Sequence, residues 1–317
     1  MTTSPLRIAV IGVGHLGRHH ARILAARPEV TLVGVADINA ARAEEVAASV
    51  GTRVLVGGVD ADSVDAVVVA VPTEVHAEIA VPLLRRGIAT LVEKPLARTI
   101  DEADALINAA REGGSVLAVG HSERFNPAVT AALPHITRPG FVEVHRLGTP
   151  PGRSLDIDVV FDLMIHDLDV LLATVGGEVT SIEAVGVPVL TPRVDIANAR
   201  LRFASGCIAN ITASRISRDR VRKVRFFQPH SYVSIDYASQ ELELWGLRPD
   251  GAGSARIEGG KVEIPRGEPL ELELMDFIEA VTQRRAPRVS GEDGRRALAL
   301  AQRITECIEG RAPGAAR

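Results

Sequence analysis

Three glycines, Gly12, Gly14 and Gly17, stand between an apolar run, Leu6 to Ile11, and a helical stretch that begins near His15. Few local patterns restrict a fold more, because each glycine answers a different steric demand. Without a Cβ, Gly12 lets the chain turn tightly out of a strand, Gly14 lets backbone N–H groups approach a phosphate, and Gly17 lets the helix lie close on the sheet. The helix start at His15 and Leu16 then offers its positive end to a pyrophosphate. A second apolar run, Thr31 to Ala36, ends at Asp37, twenty positions after Gly17. A carboxylate there accepts both ribose hydroxyls of NAD and repels a 2′-phosphate, so this order predicts an NAD site with NADP disfavoured. Arg42 is close enough in sequence to soften that preference, and otherwise reads as a solvated helix position.

The same rhythm continues through the first third. Strands are predicted at Leu6 to Ile11, Val30 to Ala36, Ala66 to Val71, Ala89 to Val92 and Val116 to Val119. Helices are predicted at His15 to Ala26, Ala40 to Ser49, Glu74 to Arg86 and Ile100 to Glu112. Alternation of this kind means a parallel sheet with crossovers. After His121 the texture changes. Helices at Asn126 to Leu133 and Asp162 to Ala173 are followed by close-set strands at Val179 to Val187, Ala197 to Phe203, Cys207 to Ala213, Arg220 to Phe227, Tyr232 to Asp236 and Glu241 to Trp245. Leu247 to Gly260, rich in Gly, Pro and Arg, reads as a loop, and helices at Leu270 to Gln283 and Gly294 to Ile308 complete the chain. The expected fold is an α/β Rossmann domain, residues 1–122, followed by an α+β domain, residues 123–317, with a large, mostly antiparallel open sheet for substrate binding and oligomerisation.

A length of 317 residues suits two domains. A net charge of -4 and a pI near 6.2 argue against a general polyanion-binding surface, so no nucleic-acid partner is expected. Cys207 and Cys307 are far apart, with no CxxC or zinc spacing, which fits a reduced cytoplasmic setting. No apolar run approaches a membrane span, and Ile8 to Val13 is too short, and too clearly a first strand, for a signal peptide.

Two further constellations carry chemistry. The stretch Ala70-Val71-Pro72-Thr73-Glu74-Val75-His76 and the triplet Glu93-Lys94-Pro95 both sit at the carboxyl ends of predicted parallel strands, where open α/β sheets bind ligands. Lys94 precedes a proline, which holds its backbone extended and permits a cis bond. Near a nicotinamide, desolvation and positive charge would lower its pKa into a useful range. A surface lysine paired with Glu93 is the competing reading. In the helix from Asp162, apolar Phe161, Ile165, Leu168 and Leu172 leave Asp162 and His166 on one face at i, i+4, with Asp169 one turn further. A carboxylate beside an imidazole can orient it for acid–base work. A structural His–Asp pair is the alternative. A single helix supplies too few ligands for a metal, and none is expected.

Together these residues resemble the Gfo/Idh/MocA oxidoreductases, the family of glucose-fructose oxidoreductase and inositol dehydrogenase. The resemblance runs along essentially the whole chain: GVGHLGRHH, VPTEVHAEIA, EKPLA, GHSERFNPA, DLMIHDLD and VSGEDGRRALALA. It implies that Lys94, Asp162 and His166 are catalytic, and that Gly12, Gly14, His15, Leu16, Gly17, Asp37, Val71, Thr73, His76, Glu93 and Lys94 line the cofactor. Two departures stand out: Val159 and Val160 replace a glycine pair common before the catalytic Asp, and His121 replaces an aromatic residue. Within the family, GHSERFNPA, DVVFDLMIHDLD and ASRISRDRVRKVRFFQPHSYVSIDY look most like members that oxidise UDP-N-acetylglucosamine at its 3-position.

Some physical support for a sugar nucleotide lies between Arg215 and Arg225. Arg215, Arg218, Arg220, Arg222, Lys223 and Arg225 face only one acid there, Asp219, and guanidinium forks suit a diphosphate. A solvated sheet face or a subunit contact explains most of them equally well. Arg215 and Arg153 are the preferred substrate contacts, joined by Arg124, Asn126, Lys94, Asp162 and His166. The expected reaction is reversible hydride transfer between a sugar carbon and NAD, His166 and Lys94 handling the hydroxyl proton and Asp162 orienting them. A dehydrogenase of a free sugar, inositol or other cyclic polyol is the alternative enzyme, and a non-catalytic NAD(P)-sensing regulator is the alternative outside catalysis. A homo-oligomer, dimer or tetramer, is expected.

Overall fold

The computed structural model describes residues 4–150, 157–249 and 255–310. They form two compact units, Met1–Ser122 with Glu268–Leu298, and Glu123–Gly267 with Ala299–Arg317.

The first unit is built on five parallel strands, β1 (Leu6–Ile11), β2 (Val30–Ala36), β3 (Ala66–Val69), β4 (Ala89–Glu93) and β5 (Leu117–Gly120), in the order β2-β1-β3-β4-β5. Every residue of the central β3 is buried, as its unbroken apolar sequence requires when both faces are covered. The connecting helices are α1 (Gly17–Ala25), α2 (Ala40–Val50), α3 (His76–Arg85) and α4 (Ile100–Gly113). Asn39 caps α2 by accepting from the Arg42 N–H (3.0 Å), and Thr99 caps α4 by accepting from the Glu102 N–H (3.2 Å). Strand order reverses between β1 and β3, so a ligand crevice opens at their carboxyl ends.

The second unit carries an eight-stranded sheet. Its strands are β6 (Phe141–Leu147), β7 (Val179–Val187), β8 (Ile196–Phe203), β9 (Ile208–Ser214), β10 (Val221–Gln228), β11 (Ser231–Asp236), β12 (Glu241–Pro249) and β13 (Ala255–Val262). They lie in the order β13-β12-β11-β10-β6-β9-β8-β7, antiparallel throughout except for the parallel pair β6–β9. The helices of this unit are α5 (Pro127–Ala132) and α6 (Ile165–Thr174), and a π-helical turn, Val160–Met164, leads into α6. Two last helices follow, α7 (Pro269–Gln283) and α8 (Gly291–Ile308), and the second return of the chain between units falls within α8. Among the described residues no helix is long and apolar enough to cross a membrane.

Three expectations change. Residues 268–298 pack with the first unit, so the expected second domain, residues 123–317, is interrupted. The reason is apolar: Leu274, Phe277 and Ile278 of α7 join Ile8, Val10 and Leu24 in one buried cluster. The expected loop from Leu247 to Gly260 is instead the end of β12 and most of β13, with residues 250–254 outside the described part. Gly259 and Gly260 pair with Trp245 and Leu244, and a Cβ on Gly259 would stand 2.0 Å from the Leu244 carbonyl oxygen. Backbone pairing, not apolar side chains, makes this edge strand. Finally, β6 was not expected, because its third inward position holds Arg146 in place of an apolar residue.

Phe277 is 1% exposed beneath the parallel sheet. Phe277→Ala is therefore expected to cost about 3–5 kcal/mol, seen as a lower melting temperature by calorimetry and circular dichroism. An unchanged melting temperature would show that α7 adds nothing to this core.

Candidate functional site

In the first unit the glycine turn is shaped by contacts no side chain could survive. Gly12 has φ +83°, and a Cβ there would come within 2.6 Å of the Ala70 carbonyl oxygen. At Gly17 a Cβ would fall 1.7 Å from the Gly12 carbonyl oxygen. Gly14 differs, since a Cβ on it would meet only the Arg42 guanidinium, at 3.9 Å. The backbone at Gly14 is thus open for a phosphate, ahead of a helix with no acidic residue in its first turn. The helix starts at Gly17, leaving His15 and Leu16 exposed in the preceding turn.

Asp37 is held firmly. Its Oδ2 accepts from the Val13 N–H (2.9 Å) and its Oδ1 from the Asn39 N–H (2.8 Å), with Arg42 Nη1 at 3.5 Å from Oδ2. Its carboxylate is fixed at the end of β2 with no rotamer search left to make. These features fit a dinucleotide: an open glycine backbone, a bare helix start and an anchored acid at the ribose position.

Val71, Thr73 and Lys94 are half-buried at the ends of β3 and β4, and the Lys94–Pro95 bond is cis. His76 and Glu93 are placed otherwise than expected for residues lining a cofactor. The His76 ring is fully buried, with Nε2 3.0 Å from the Val71 carbonyl oxygen and Nδ1 3.1 Å from that of Pro95. It ties the Val71 turn to the Lys94 turn. Glu93 is 5% exposed, its Oε1 2.8 Å from His20 Nε2 and its Oε2 accepting from the Lys94 N–H (3.1 Å). Glu93 therefore sets the backbone that carries Lys94. Buried Glu273 of α7 completes a His20–Glu93–Glu273 group whose ligand atoms lie within 4.8 Å of one another, a donor set able to hold a cation. Neither His20 nor Glu273 was expected from sequence, because they lie in helices far from the Glu93 motif.

In the second unit, Asp162 falls in the π turn and His166 in the first turn of α6, both half-buried. The Ile165 N–H reaches the Val160 carbonyl, five residues back, which widens the turn at Asp162. Asp167 and Asp169, by contrast, are each 1% exposed. Asp169 does not extend the Asp162–His166 face as expected, because it pairs with Arg124 Nη1 at 3.3 Å. Asp167 takes a two-pronged bond from Arg146 of β6, Nε to Oδ2 at 2.6 Å and Nη2 to Oδ1 at 3.1 Å, while Arg146 Nη1 donates to Glu123 (3.1 Å). The Arg146 guanidinium also lies over the Tyr237 ring, 5.2 Å from its centre.

Burial opposes the Arg146 charge, but Asp167 and Glu123 outweigh it and raise its basicity. Burial pushes the Asp167 carboxyl up against the pull of Arg146. Burial first, and then the Asp167 charge, push the Tyr237 phenol well above its ordinary value. Sequence reading missed this group. Its only local signal was a charged pair, His145-Arg146, inside an otherwise alternating apolar stretch.

Two expected substrate contacts, Asn126 and Arg215, need correction, and a third, Arg124, is partly engaged within the unit. Asn126 is 1% exposed; its Oδ1 caps α5 through the Ala128 N–H (3.1 Å) and its Nδ2 donates to the Tyr237 carbonyl (3.0 Å). Arg124 is spent partly on Asp169. Arg215 is 2% exposed, its Nη2 donating to the carbonyls of Ile157 and Val194 (3.2 Å for the latter) and its Nε 3.6 Å from Asp195 Oδ1. A guanidinium so enclosed braces the segment that leads into the π turn. Arg153 lies outside the described residues.

Comparison with known proteins agrees with this geometry. Residues 6–121 match the oxidoreductase family with an NAD-binding Rossmann fold, and residues 152–229 match the Gfo/Idh/MocA C-terminal domain. A UDP-N-acetylglucosamine 3-dehydrogenase of Acidithiobacillus ferrooxidans is 39% identical over 311 residues, 96% of this chain and 97% of its own. A solved structure of that enzyme superposes with a TM-score of 0.89 at 37% identity, covering 97% of this chain and 99% of the other. An NAD(+) scyllo-inositol 2-dehydrogenase of Bacillus subtilis is 30% identical over 232 residues, 67% of this chain and 68% of its own.

Asp195, buried beside Arg215, is opposed by burial but held down to about 2 by the N–H groups of Thr191, Leu190 and Val189 and by the Thr191 hydroxyl. Because this lies below the ordinary 3.8, its stabilisation is complete above about pH 4 and is lost as the pH falls through that range towards 2. Asp195→Asn should lower stability at neutral pH and flatten the pH dependence between about 4 and 2. Fluorescence of the lone tryptophan, Trp245, in the same unit, reads this in acid titrations. Equal acid slopes in both proteins would refute the assignment.

Proposed function

This chain belongs to the Gfo/Idh/MocA oxidoreductases, and on that premise we propose that it oxidises a ring hydroxyl of a sugar nucleotide, UDP-N-acetylglucosamine at its 3-position. It is a dehydrogenase of CH–OH groups that uses NAD. The substrate reading is carried by one observation: the similarity to a UDP-N-acetylglucosamine 3-dehydrogenase spans 96% of the chain at 39% identity. Relatives that act on inositols, one of them 27% identical over 96% of the chain, support a cyclic polyol as the second reading.

The chemistry that bound NAD would supply is that of a hydride acceptor. Everything else falls to the chain's own side chains. The open backbone at Gly14 and the start of α1 would hold the pyrophosphate, and anchored Asp37 would accept the ribose hydroxyls, which disfavours NADP. Lys94 and His166 share the proton released by the hydroxyl, and Asp162 orients the imidazole. Glu93 keeps the Lys94 backbone in place from behind. Two thiols without a disulfide, Cys207 and Cys307, support a reducing, cytoplasmic setting.

The uncovered face of the eight-stranded sheet is proposed as the contact between copies of the chain. Its aromatic residues fall in one row by register, Phe141 opposite Phe227, Phe227 opposite Tyr232, and Tyr232 opposite Trp245. The chain has only ten aromatic residues (seven Phe, two Tyr, one Trp), so four in one outward row is a concentration that folding alone does not explain. Sedimentation should show an oligomer that Phe227→Glu with Trp245→Lys converts to monomer. An unaltered sedimentation coefficient would remove this face from consideration.

The functional test is NAD reduction with UDP-N-acetylglucosamine, free N-acetylglucosamine and inositols. The UDP-sugar should be turned over best, and Lys94→Ala and His166→Ala should each slow it by about 10²- to 10⁴-fold with NAD affinity kept within a few fold. Preference for an inositol would move the assignment to the polyol reading. Near-normal turnover in either variant, where hydride transfer limits the rate, would remove that residue's role.

A further inference from the structure

The structure sorts five of the six basic residues between Arg215 and Arg225. Arg215 is buried on carbonyls. On the outer face of the sheet Lys223 pairs with Asp236 at 3.3 Å and Arg225 with Glu143 at 3.3 Å. Arg220 and Arg222 belong to the opposite face. Val224 and Phe226, two and four residues after Arg222 on β10, are both fully buried on that side. Among the described residues no carboxylate lies within ion-pair distance of either arginine.

We propose that Arg220 and Arg222, with the Thr149 hydroxyl, form the subsite that grips the diphosphate of the sugar-nucleotide substrate; this rests on the reading given under Proposed function. Arg222 stands directly opposite Arg146 in the β10–β6 register. Arg146 is paired with Asp167 and Glu123, and neither acid comes within ion-pair distance of Arg222. Arg220 Nε reaches Thr149 Oγ1 at 3.4 Å. Partial burial first, then Arg146 and Arg220, hold the Arg222 guanidinium below its ordinary basicity, with Glu123 and Asp167 acting the other way. Like charges gathered at the ends of the two central strands, β10 and β6, repel one another, and an anion seated there would relieve that repulsion. Two guanidinium forks match the two phosphates of a diphosphate, each able to bind with parallel N–H donors.

Position agrees. Arg146 holds Asp167, the residue that follows His166, so Arg222 lies one strand away from the anchor of the His166 helix and on the same face. The net charge of -4 argues against the pair being part of a general polyanion surface.

The test uses the full chain, with UDP as the binding probe in calorimetry and UDP-N-acetylglucosamine in steady-state kinetics. Arg222→Met should weaken UDP binding and raise the Michaelis constant for the UDP-sugar by about tenfold or more. Its melting temperature should stay level or rise, because repulsion with Arg146 is relieved, and NAD affinity should be unchanged. Arg222→Lys should recover part of the loss, as it restores the charge without the fork. Arg220→Met should show a weaker form of the same pattern. UDP affinity and Michaelis constant within twofold of the unaltered protein, while that protein still oxidises the UDP-sugar, would overturn the subsite and leave the substrate reading standing. A lowered melting temperature together with lost NAD affinity would assign Arg222 a structural role and likewise overturn it. Failure of the unaltered protein to bind UDP or oxidise the UDP-sugar would overturn both.

Discussion

Two buried carboxylates on one short helix, Asp167 and Asp169, dictate much of the second unit. An ionised carboxylate out of water costs several kcal/mol unless an opposite charge and hydrogen bonds replace the lost solvent. Each therefore demands an arginine from elsewhere, and receives it: Arg146 from β6 and Arg124 from the segment after β5. Neither bond touches a reacting atom. Together they fix the axial position and rotation of α6, and so the direction in which His166 and Asp162 leave the chain. A bidentate guanidinium fixes direction as well as distance, because its two parallel N–H donors must meet two carboxylate oxygens at once.

The first unit reaches comparable precision by steric exclusion. Gly12 and Gly17 lie so close that the turn has no alternative conformation, and Asp37 is braced by two backbone N–H groups before any ribose arrives. Binding then forfeits little rotamer freedom. Behind Lys94 the same economy applies, with His20 and Glu93 joined from two elements to set one backbone N–H.

What the sequence reveals depends on the kind of force involved. Glycine sterics and apolar periodicity are local, so the turn at Gly12, the acid at Asp37 and the alternation of strand and helix can be read from residue order. Long-range pairing is not local. Glu273 meets Glu93 and His20 only because α7 returns to the first unit, and nothing near Glu93 announces it. Arg215 illustrates the opposite error: an arginine beside other arginines looks like an anion contact until burial shows it holding carbonyls. Strand β13 was hidden because its ladder depends on Gly259 and Gly260, residues that carry no apolar signature. The π turn at Asp162 is equally silent, since i, i+4 spacing reads the same whether a turn is α or π.

The parallel contact between β6 and β9 has a consequence for how this sheet assembles. Strands β7, β8 and β9 pair with their neighbours in sequence, as do β10 through β13, so each set closes through short loops. Strand β6 must find β9 and β10 across a much longer stretch of chain, and loop-closure entropy delays such a partner. It is the seam that joins two self-sufficient meanders. Arg146 rides on that seam, so the charge that locks α6 is buried only when the seam closes. Until then Asp167 keeps its water, and the helix that carries His166 has no reason to settle.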